Sequence, residues 1–453
     1  MVFSSPIFLF VFFPITFGVY YLIDQRWRNG WLLICSLLFY AWSGIQFVII
    51  LVFSVGFNFL ISKGLECKKR AYLVLGIIFN LGLLGIYKYL GFFAENIAYL
   101  FHRNIMDNLN ITMPIGISFF TFQILAYDID LYLDKVKRQP HFLKLLLYVS
   151  MFPQLIAGPI VRYRNVEDEI NKRELSYDHI YYGLQRFVLG LGEKVLLADT
   201  LGGCLDIIFT ADAVPGTIEV WLGMLAYSLQ IYFDFTGYSD MAIGMGEMLG
   251  FHFNENFLNP YQAVSIRDFW KRWHISLSSW FRDYLYIPLG GSRNGKLKTY
   301  RNLLIVFTVT GLWHGASWNF VIWGLWHGFF LIVERFGADK IINKLPKLLQ
   351  HIYTLLVVGV GWLMFRSENF IYNMNCIRNM FKFKSTNLEA LITILDPKMC
   401  FCILLCISIC CCGLKWKRKQ RGILFDVSVV FVFWASILQI SANQFSPFLY
   451  FRF

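Results

Sequence analysis

Leu303-Leu-Ile-Val-Phe-Thr-Val-Thr-Gly-Leu-Trp-His-Gly-Ala-Ser-Trp-Asn-Phe-Val-Ile-Trp-Gly-Leu-Trp-His-Gly-Phe-Phe-Leu-Ile-Val333 is an apolar run that holds two histidines and no carboxylate, lysine or arginine. About 20 apolar residues span a bilayer, so a run of this length reads as membrane-embedded helix. The tripeptide Trp-His-Gly occurs in it twice, at Trp313–Gly315 and Trp326–Gly328. Polar side chains are expensive in lipid, and a histidine inside a span is a functional candidate by default.

Runs of the same character continue outward in both directions. They cover Pro6–Ile23, Trp31–Trp42, Phe47–Ser62, Tyr72–Phe93, Ile111–Leu125, Leu143–Ile160 and Val220–Phe233, then Ile352–Phe365, Met399–Cys412 and Ile423–Ile440. Across 453 residues 57% are hydrophobic, 19% aromatic and only 15% charged, against about 25% charged in a soluble domain. Several runs are short and carry Gly or Pro. The expected fold is therefore all-α and polytopic, with about ten to twelve membrane helices, some re-entrant or broken. The first run lacks the basic leader and small-residue cleavage site of a removable signal peptide. No repeat, low-complexity tract or linker divides the chain. It reads as one domain over 1–453, with scaffold helices in 1–110, a catalytic core in 111–335 and C-terminal helices in 336–453.

The formal net charge of +12 sits in short loops between runs. Lys63, Lys68, Lys69 and Arg70 form one cluster, Lys135, Lys137 and Arg138 a second, and Lys415, Lys417, Arg418, Lys419 and Arg421 a third. Counting crossings puts the first two on the same side, which the positive-inside rule makes cytoplasmic, and the N-terminus outside. Short basic loops of this kind bind membrane lipid and not nucleic acid. Six of ten cysteines crowd into Cys400–Cys412, with Cys402, Cys406 and Cys410 on one helix face. With no charged or histidine partner nearby they read as small apolar residues, and no metal site is expected.

Polarity returns in three places. Asp128, Asp130 and Asp134 mark one span end. Tyr232–Met241 carries Asp234 and Asp240 with the hydroxyls of Thr236, Tyr238 and Ser239, and either lines a polar cavity or closes a hydrogen-bond network. Ser265–Tyr284 interleaves basic and aromatic residues. Read as one helix, it places Trp270, Trp273, Leu277, Phe281 and Tyr284 on one face and Arg267, Lys271, Ser278 and Arg282 about a quarter turn away, with His274 between. That pattern suits an interfacial anchor, or an anion site in which Arg267, Lys271 and Arg282 meet the phosphates of an acyl donor. Ile287–Arg293 reads as a turn, because Pro288 and Gly290-Gly291 stop a helix.

A neutral buried imidazole suits removal of a proton from an attacking hydroxyl during acyl transfer. Asn319, Trp313 and Trp318 are candidate donors to the developing oxyanion. On a continuous helix His314 and His327 stand about 20 Å apart and point to different sides, so one reacts and the other is structural unless the helix breaks between them. The chain has no Gly-x-Ser-x-Gly elbow, His-Glu-x-x-His motif, Walker A loop or dinucleotide fingerprint.

Five segments together carry a resemblance: Pro114–Phe122, Phe152–Tyr163, Tyr232–Met241, Phe269–Arg293 and Gly311–Gly328. In this order they resemble the membrane-bound O-acyltransferase superfamily, and its bacterial alginate O-acetyltransferase branch above all. The resemblance implies a ring of membrane helices around a central funnel. It implies that His314 in Gly-Leu-Trp-His-Gly-Ala is catalytic and that His274 in Trp-Lys-Arg-Trp-His-Ile-Ser is the second catalytic histidine. Asn319, Trp313, His327, Asp234 and Asp240 are then auxiliary. It also implies an acetyl donor on the cytoplasmic side, acetyl-CoA, with no bound cofactor. The acetyl group would cross a bacterial inner membrane to an extracytoplasmic partner of the SGNH-hydrolase type that esterifies polysaccharide hydroxyls. Rival readings are a D-alanyl or other acyl transferase of the same superfamily, a glycan-precursor transporter or flippase, and a non-catalytic export scaffold.

Overall fold

The computed structural model describes residues 1–101, 111–156, 158–210, 213–367, 369–384, 391–392, 394–413 and 422–442. Helix is the only regular structure among them, as expected where every backbone group must be satisfied within its own segment. Ile45–Glu66, Arg70–Phe101, Trp318–Ile342, Lys347–Arg366 and Ile423–Ala442 are long and apolar enough to cross a membrane, and Phe8–Leu22 and Pro397–Cys412 are shorter apolar helices. Other runs are interrupted. Leu143–Ile160 becomes Phe142–Ser150 and Phe152–Leu155, because Pro153 has no N–H to continue the first helix. Thr217–Met248 spans 32 residues but carries Glu219, Asp234, Asp240 and Glu247. The basic stretch 415–421 lies outside the described residues.

The chain forms two compact units, Met1–Val188 with Tyr238–Asn254, and Leu189–Gly237 with Glu255–Phe453. In the first, Ile117–Tyr132 is the central helix, with nearly every residue buried. A helix that is apolar all round needs neighbours on every side, and it packs against Ile45–Glu66 and Arg70–Leu84. Those two helices are joined by a reciprocal amide pair: Asn80 Nδ2 donates to Asn58 Oδ1 at 2.8 Å and Asn58 Nδ2 to Asn80 Oδ1 at 3.2 Å. Such pairs contribute about 1 kcal/mol each between helices in lipid, where the hydrophobic effect does not hold helices together.

The three aspartates at the far end of Ile117–Tyr132 divide their roles. Asp128 is fully buried beside Gly76, where a Cβ would stand 3.1 Å from its Oδ2. Asp130 pairs with Lys135 at 3.5 Å, and Asp134 pairs with Lys68. Lys68 also donates to Tyr132 O at 2.6 Å, and Arg138 Nε to Ser62 Oγ at 3.0 Å. The first two basic clusters thus meet at one end of this unit.

In the second unit, Lys296–His314 and Trp318–Val333 pack along their length as an antiparallel pair. Their backbones approach so closely that a Cβ on Gly311 would stand 2.1 Å from Phe320 O, and one on Gly324 2.1 Å from Phe307 O. Lys347–Arg366 packs on the pair, and Trp326 Nε1 donates to Val357 O at 2.9 Å. Pro397–Cys412 turns Cys402 and Cys406 inward, and all ten cysteines are free.

Candidate active site

The run that opened the sequence is not one helix. Lys296–His314 stops at His314, extended Gly315 follows, and a new helix starts at Trp318. A Cβ on Gly315 would meet the Phe320 ring at 2.1 Å, so the turn requires glycine there. The break removes the separation expected of a continuous helix. His314 and His327 both lie against Trp323, each with ring centroids 5.1 Å from it. Phe365 covers His314 at 5.2 Å, and Trp270 covers His327 at 5.2 Å. Edge-to-face contacts of this kind fix ring planes as well as bury area.

His274 enters from the other side of the same aromatic body. Trp313 lies 5.0 Å from His314 and 6.0 Å from His274 between ring centroids. One indole therefore touches both histidines that the sequence marks as catalytic. Phe235 and Phe257 flank His274 at 4.7 and 6.4 Å. His274 lies outside the five long apolar helices, and burial pulls its pKa down from the usual imidazole value to about 3. It is neutral at physiological pH.

The stretch that carries His274 departs from the expected single amphipathic helix. It is two short helices, Ile266–Arg272 and Ile275–Phe281, and His274 between them is left-handed, with φ 44° and ψ 54°. Such a conformation is unfavourable by about 1–2 kcal/mol for a side chain with a Cβ, and it persists where surrounding contacts over-determine it. Those contacts come from residues 256–258: Leu258 N donates to Arg272 O and Ile275 N to Asn256 O, both at 2.9 Å. With the helix broken, the expected faces do not form. Phe269, Trp270, Trp273, Leu277 and Phe281 are all buried, so the segment is not an interfacial anchor.

The first helix of this pair is held at its N-terminus. Ser265 Oγ accepts from Asp268 N at 3.0 Å. Glu334 Oε1 accepts from Ile266 N at 2.6 Å, and Glu334 Oε2 from Arg267 N at 3.1 Å. Those three N–H groups would otherwise be unsatisfied. Glu334 stands two helical turns beyond His327, so the same face contributes the histidine against Trp270 and the carboxyl against Ile266 and Arg267. Sequence reading missed both Glu334 and Asn256. A carboxyl directly at the end of an apolar run is a signal that singles out Glu334, whereas Asn256 lies in a loop 18 residues from His274 with no local mark.

Other expected residues have different work. Asn319 is buried, and its Nδ2 donates one hydrogen to Ser367 O at 2.7 Å, which ties two segments together. Trp318 is half-exposed. Asp234 pairs with buried Lys194 at 2.7 Å, and Asp240 with Arg186 at 2.5 Å. The two carboxylates of Tyr232–Met241 thus close ion pairs, while Phe235 between them lies against His274. Arg267 and Lys271 are exposed one turn apart, while Arg282, beyond the break, pairs with Asp283 at 2.7 Å. The Pro288–Gly291 turn is fastened to the helix that ends in His314, since Asn302 Nδ2 donates to Leu289 O and Gly291 O at 3.1 and 3.0 Å.

Two imidazoles across one indole, both buried among aromatic rings, form a water-poor site suited to acyl transfer. Residues 131–416 match the model of the membrane-bound O-acyltransferase family. The chain belongs to that family. It is an integral membrane protein and an O-acyltransferase. It is similar over its full length, at 38% identity, to a probable alginate O-acetylase AlgI of Pseudomonas putida, the whole of which it covers. It is 37% identical to a peptidoglycan O-acetyltransferase of Helicobacter pylori over 84% of this chain and 80% of that protein. A teichoic acid D-alanyltransferase of Bacillus subtilis matches at 30% over 47% of this chain and 57% of its own length. Within this acyltransferase, the residues of the break and both Trp-His-Gly tripeptides fall inside the matched region.

Proposed function

We propose that this O-acyltransferase transfers acetyl groups, taking them from cytoplasmic acetyl-CoA and passing them across the bacterial inner membrane. There an extracytoplasmic transferase of the SGNH-hydrolase type esterifies the hydroxyls of a polysaccharide, such as alginate, another exopolysaccharide or peptidoglycan. The observation that carries the reading is the contact of His274 and His314 with the one indole of Trp313. His314 serves as general base or transient acyl carrier, and His274 assists from the cytoplasmic side. The full-length likeness to proteins named for O-acetylation supports acetyl over D-alanyl, for which the likeness covers only about half of each chain. The meeting of the basic clusters at one end of the first unit supports a cytoplasmic placement for that end and an extracytoplasmic N-terminus.

The test uses the full chain in proteoliposomes with acetyl-CoA labelled in the acetyl group. Label is expected to leave CoA and reach an acceptor on the opposite face. His314→Ala and His314→Gln are expected to insert normally and to lose at least about 100-fold in turnover. Normal transfer by both variants removes His314 from the chemistry. Movement of a glycan precursor with no ester formed favours the transporter reading, and loss of label only from D-alanyl donors favours the D-alanyl reading.

A further inference from the structure

Asn256 meets the second histidine through a bond whose direction can be worked out. His274 Nδ1 lies 3.2 Å from Asn256 Oδ1. The same Oδ1 takes the backbone N–H of Ser276 at 3.2 Å and the Ser276 hydroxyl at 2.9 Å. A backbone N–H can only donate, so the amide atom facing this cluster is the oxygen, and an amide oxygen can only accept. The proton of the neutral imidazole therefore sits on Nδ1, and the lone pair sits on Nε2. That nitrogen is buried and has no hydrogen-bond partner among the described residues. The backbone agrees with the side chain, since Asn256 O accepts from Ile275 N and holds the left-handed turn at His274.

We infer that Asn256 is a positioning residue of the acyl transfer, fixing His274 as the Nδ1–H tautomer so that Nε2 is the proton acceptor. The inference rests on the reading above that His274 takes part in the reaction, and it sharpens that reading by giving the proton-accepting role in the step below to His274 in place of His314. In the step it serves, an acceptor hydroxyl oxygen attacks the thioester carbonyl and a C–O bond forms. Its proton passes to Nε2, the C–S bond breaks, and the same proton passes to the departing thiolate. The ester and the free thiol are the products, and the imidazole ends as it began. Without an acceptor at Nδ1 the ring populates the other tautomer, whose Nε2 carries a proton and cannot take one. Ser276 Oγ also neighbours that nitrogen, 3.4 Å from Nδ1, and it is itself held by Asn256.

The experiment compares Asn256→Ala, Asn256→Asp and His274→Gln in the full-length protein, with labelled acetyl-CoA as the probe. Insertion is checked by gel filtration in detergent. Asn256→Ala is expected to lower kcat about 100-fold with KM within about threefold of the parent. Asn256→Asp keeps the shape and an Nδ1–H acceptor, so it is expected to recover most of that loss. Its carboxylate also favours the imidazolium, so the acid limb of its kcat profile is expected at higher pH than the parent's. Equal and low activity for the Ala and Asp variants, with an unmoved pH profile in Asp, overturns the inference, as does a loss confined to KM. If Asn256→Ala fails to insert, the Asp profile alone decides. Full activity in His274→Gln sinks the reading beneath it. A dead His274→Gln beside two active Asn256 variants sinks only the role of Asn256.

Discussion

Tyr232–Met241 and Gly311–Gly328 look alike as sequence, since each puts ionisable side chains into an apolar stretch. The folded chain treats them oppositely. Asp234 and Asp240 are each closed by a buried or half-buried cation, and Lys194 bridges Asp234 and Asp199 at 2.7 and 2.5 Å. The Trp-His-Gly segments instead set imidazoles against aromatic rings, and neither ring nitrogen of His327 has a hydrogen-bond partner among the described residues. A polar group that lipid would punish is structural when the fold answers it with the opposite charge. It is available for chemistry when the fold surrounds it with rings and leaves a lone pair open.

The comparison breaks most readily at Asp234. Asp234→Ala leaves a buried ammonium with one partner in place of two, and breaking a buried pair from one side costs about 3–5 kcal/mol. The variant is expected to show a lowered melting temperature in detergent but near-parental turnover per folded molecule. A stable Asp234→Ala protein with little activity would put Tyr232–Met241 into the chemistry and erase the contrast. The companion variant Lys194→Met with Asp234→Leu is expected to regain part of the stability, since packed apolar residues often replace a buried pair without loss.

Glu334 tests the boundary between the two kinds of site, because it answers backbone donors and not a charge. Glu334→Ala strips two N–H groups of their acceptor and is expected to cost about 1–3 kcal/mol. Because that helix leads to His274, kcat is expected to fall about tenfold, with Glu334→Gln between the parent and Ala. Tyr353, whose hydroxyl donates to Glu334 Oε1 at 3.3 Å, is the milder control, and Tyr353→Phe is expected to leave turnover within about twofold. Unaltered stability and turnover in Glu334→Ala would mean that residues 256–258 hold the His274 turn alone.

The all-helical membrane fold was legible because composition and run length depend on the solvent, not on tertiary partners. His314 and His327 were legible as candidates for the same reason, as ionisable side chains in an apolar run beside glycines, while the choice of His314 between them rests on the family resemblance. The break at Gly315–Ser317 was not, because it depends on how closely Phe320 packs over Gly315. The single-helix reading of Ser265–Tyr284 failed for a similar cause. Its local periodicity is helical, but Asn256 and Leu258 take the hydrogen bonds at Arg272 and Ile275 from outside the segment. The partner of Asp234 is Lys194, 40 residues earlier, and no local pattern reports a pairing at that distance.

The last contrast sets the ring-lined His274 apart from the ion-paired Asp234 by pH. His274 has its pKa in the folded protein lowered to about 3 by burial, from the usual imidazole value of about 6.5. Between those values the unfolded chain binds a proton that the folded chain refuses, so stability rises with pH across that window and is lost as pH falls through it. The dependence flattens below about pH 3 and above about pH 6.5. Melting temperatures in detergent from pH 7 down to pH 4 are expected to fall more steeply for the parent than for His274→Gln, which has no proton to refuse. The ion pair of Asp234 adds its own loss only as its carboxylate protonates, so both proteins share that part. Parallel curves for the parent and His274→Gln would show that the imidazole takes its proton without unfolding. The Nε2 lone pair would then be open to water, and the ring-lined, water-poor character of the Trp313 site would be wrong.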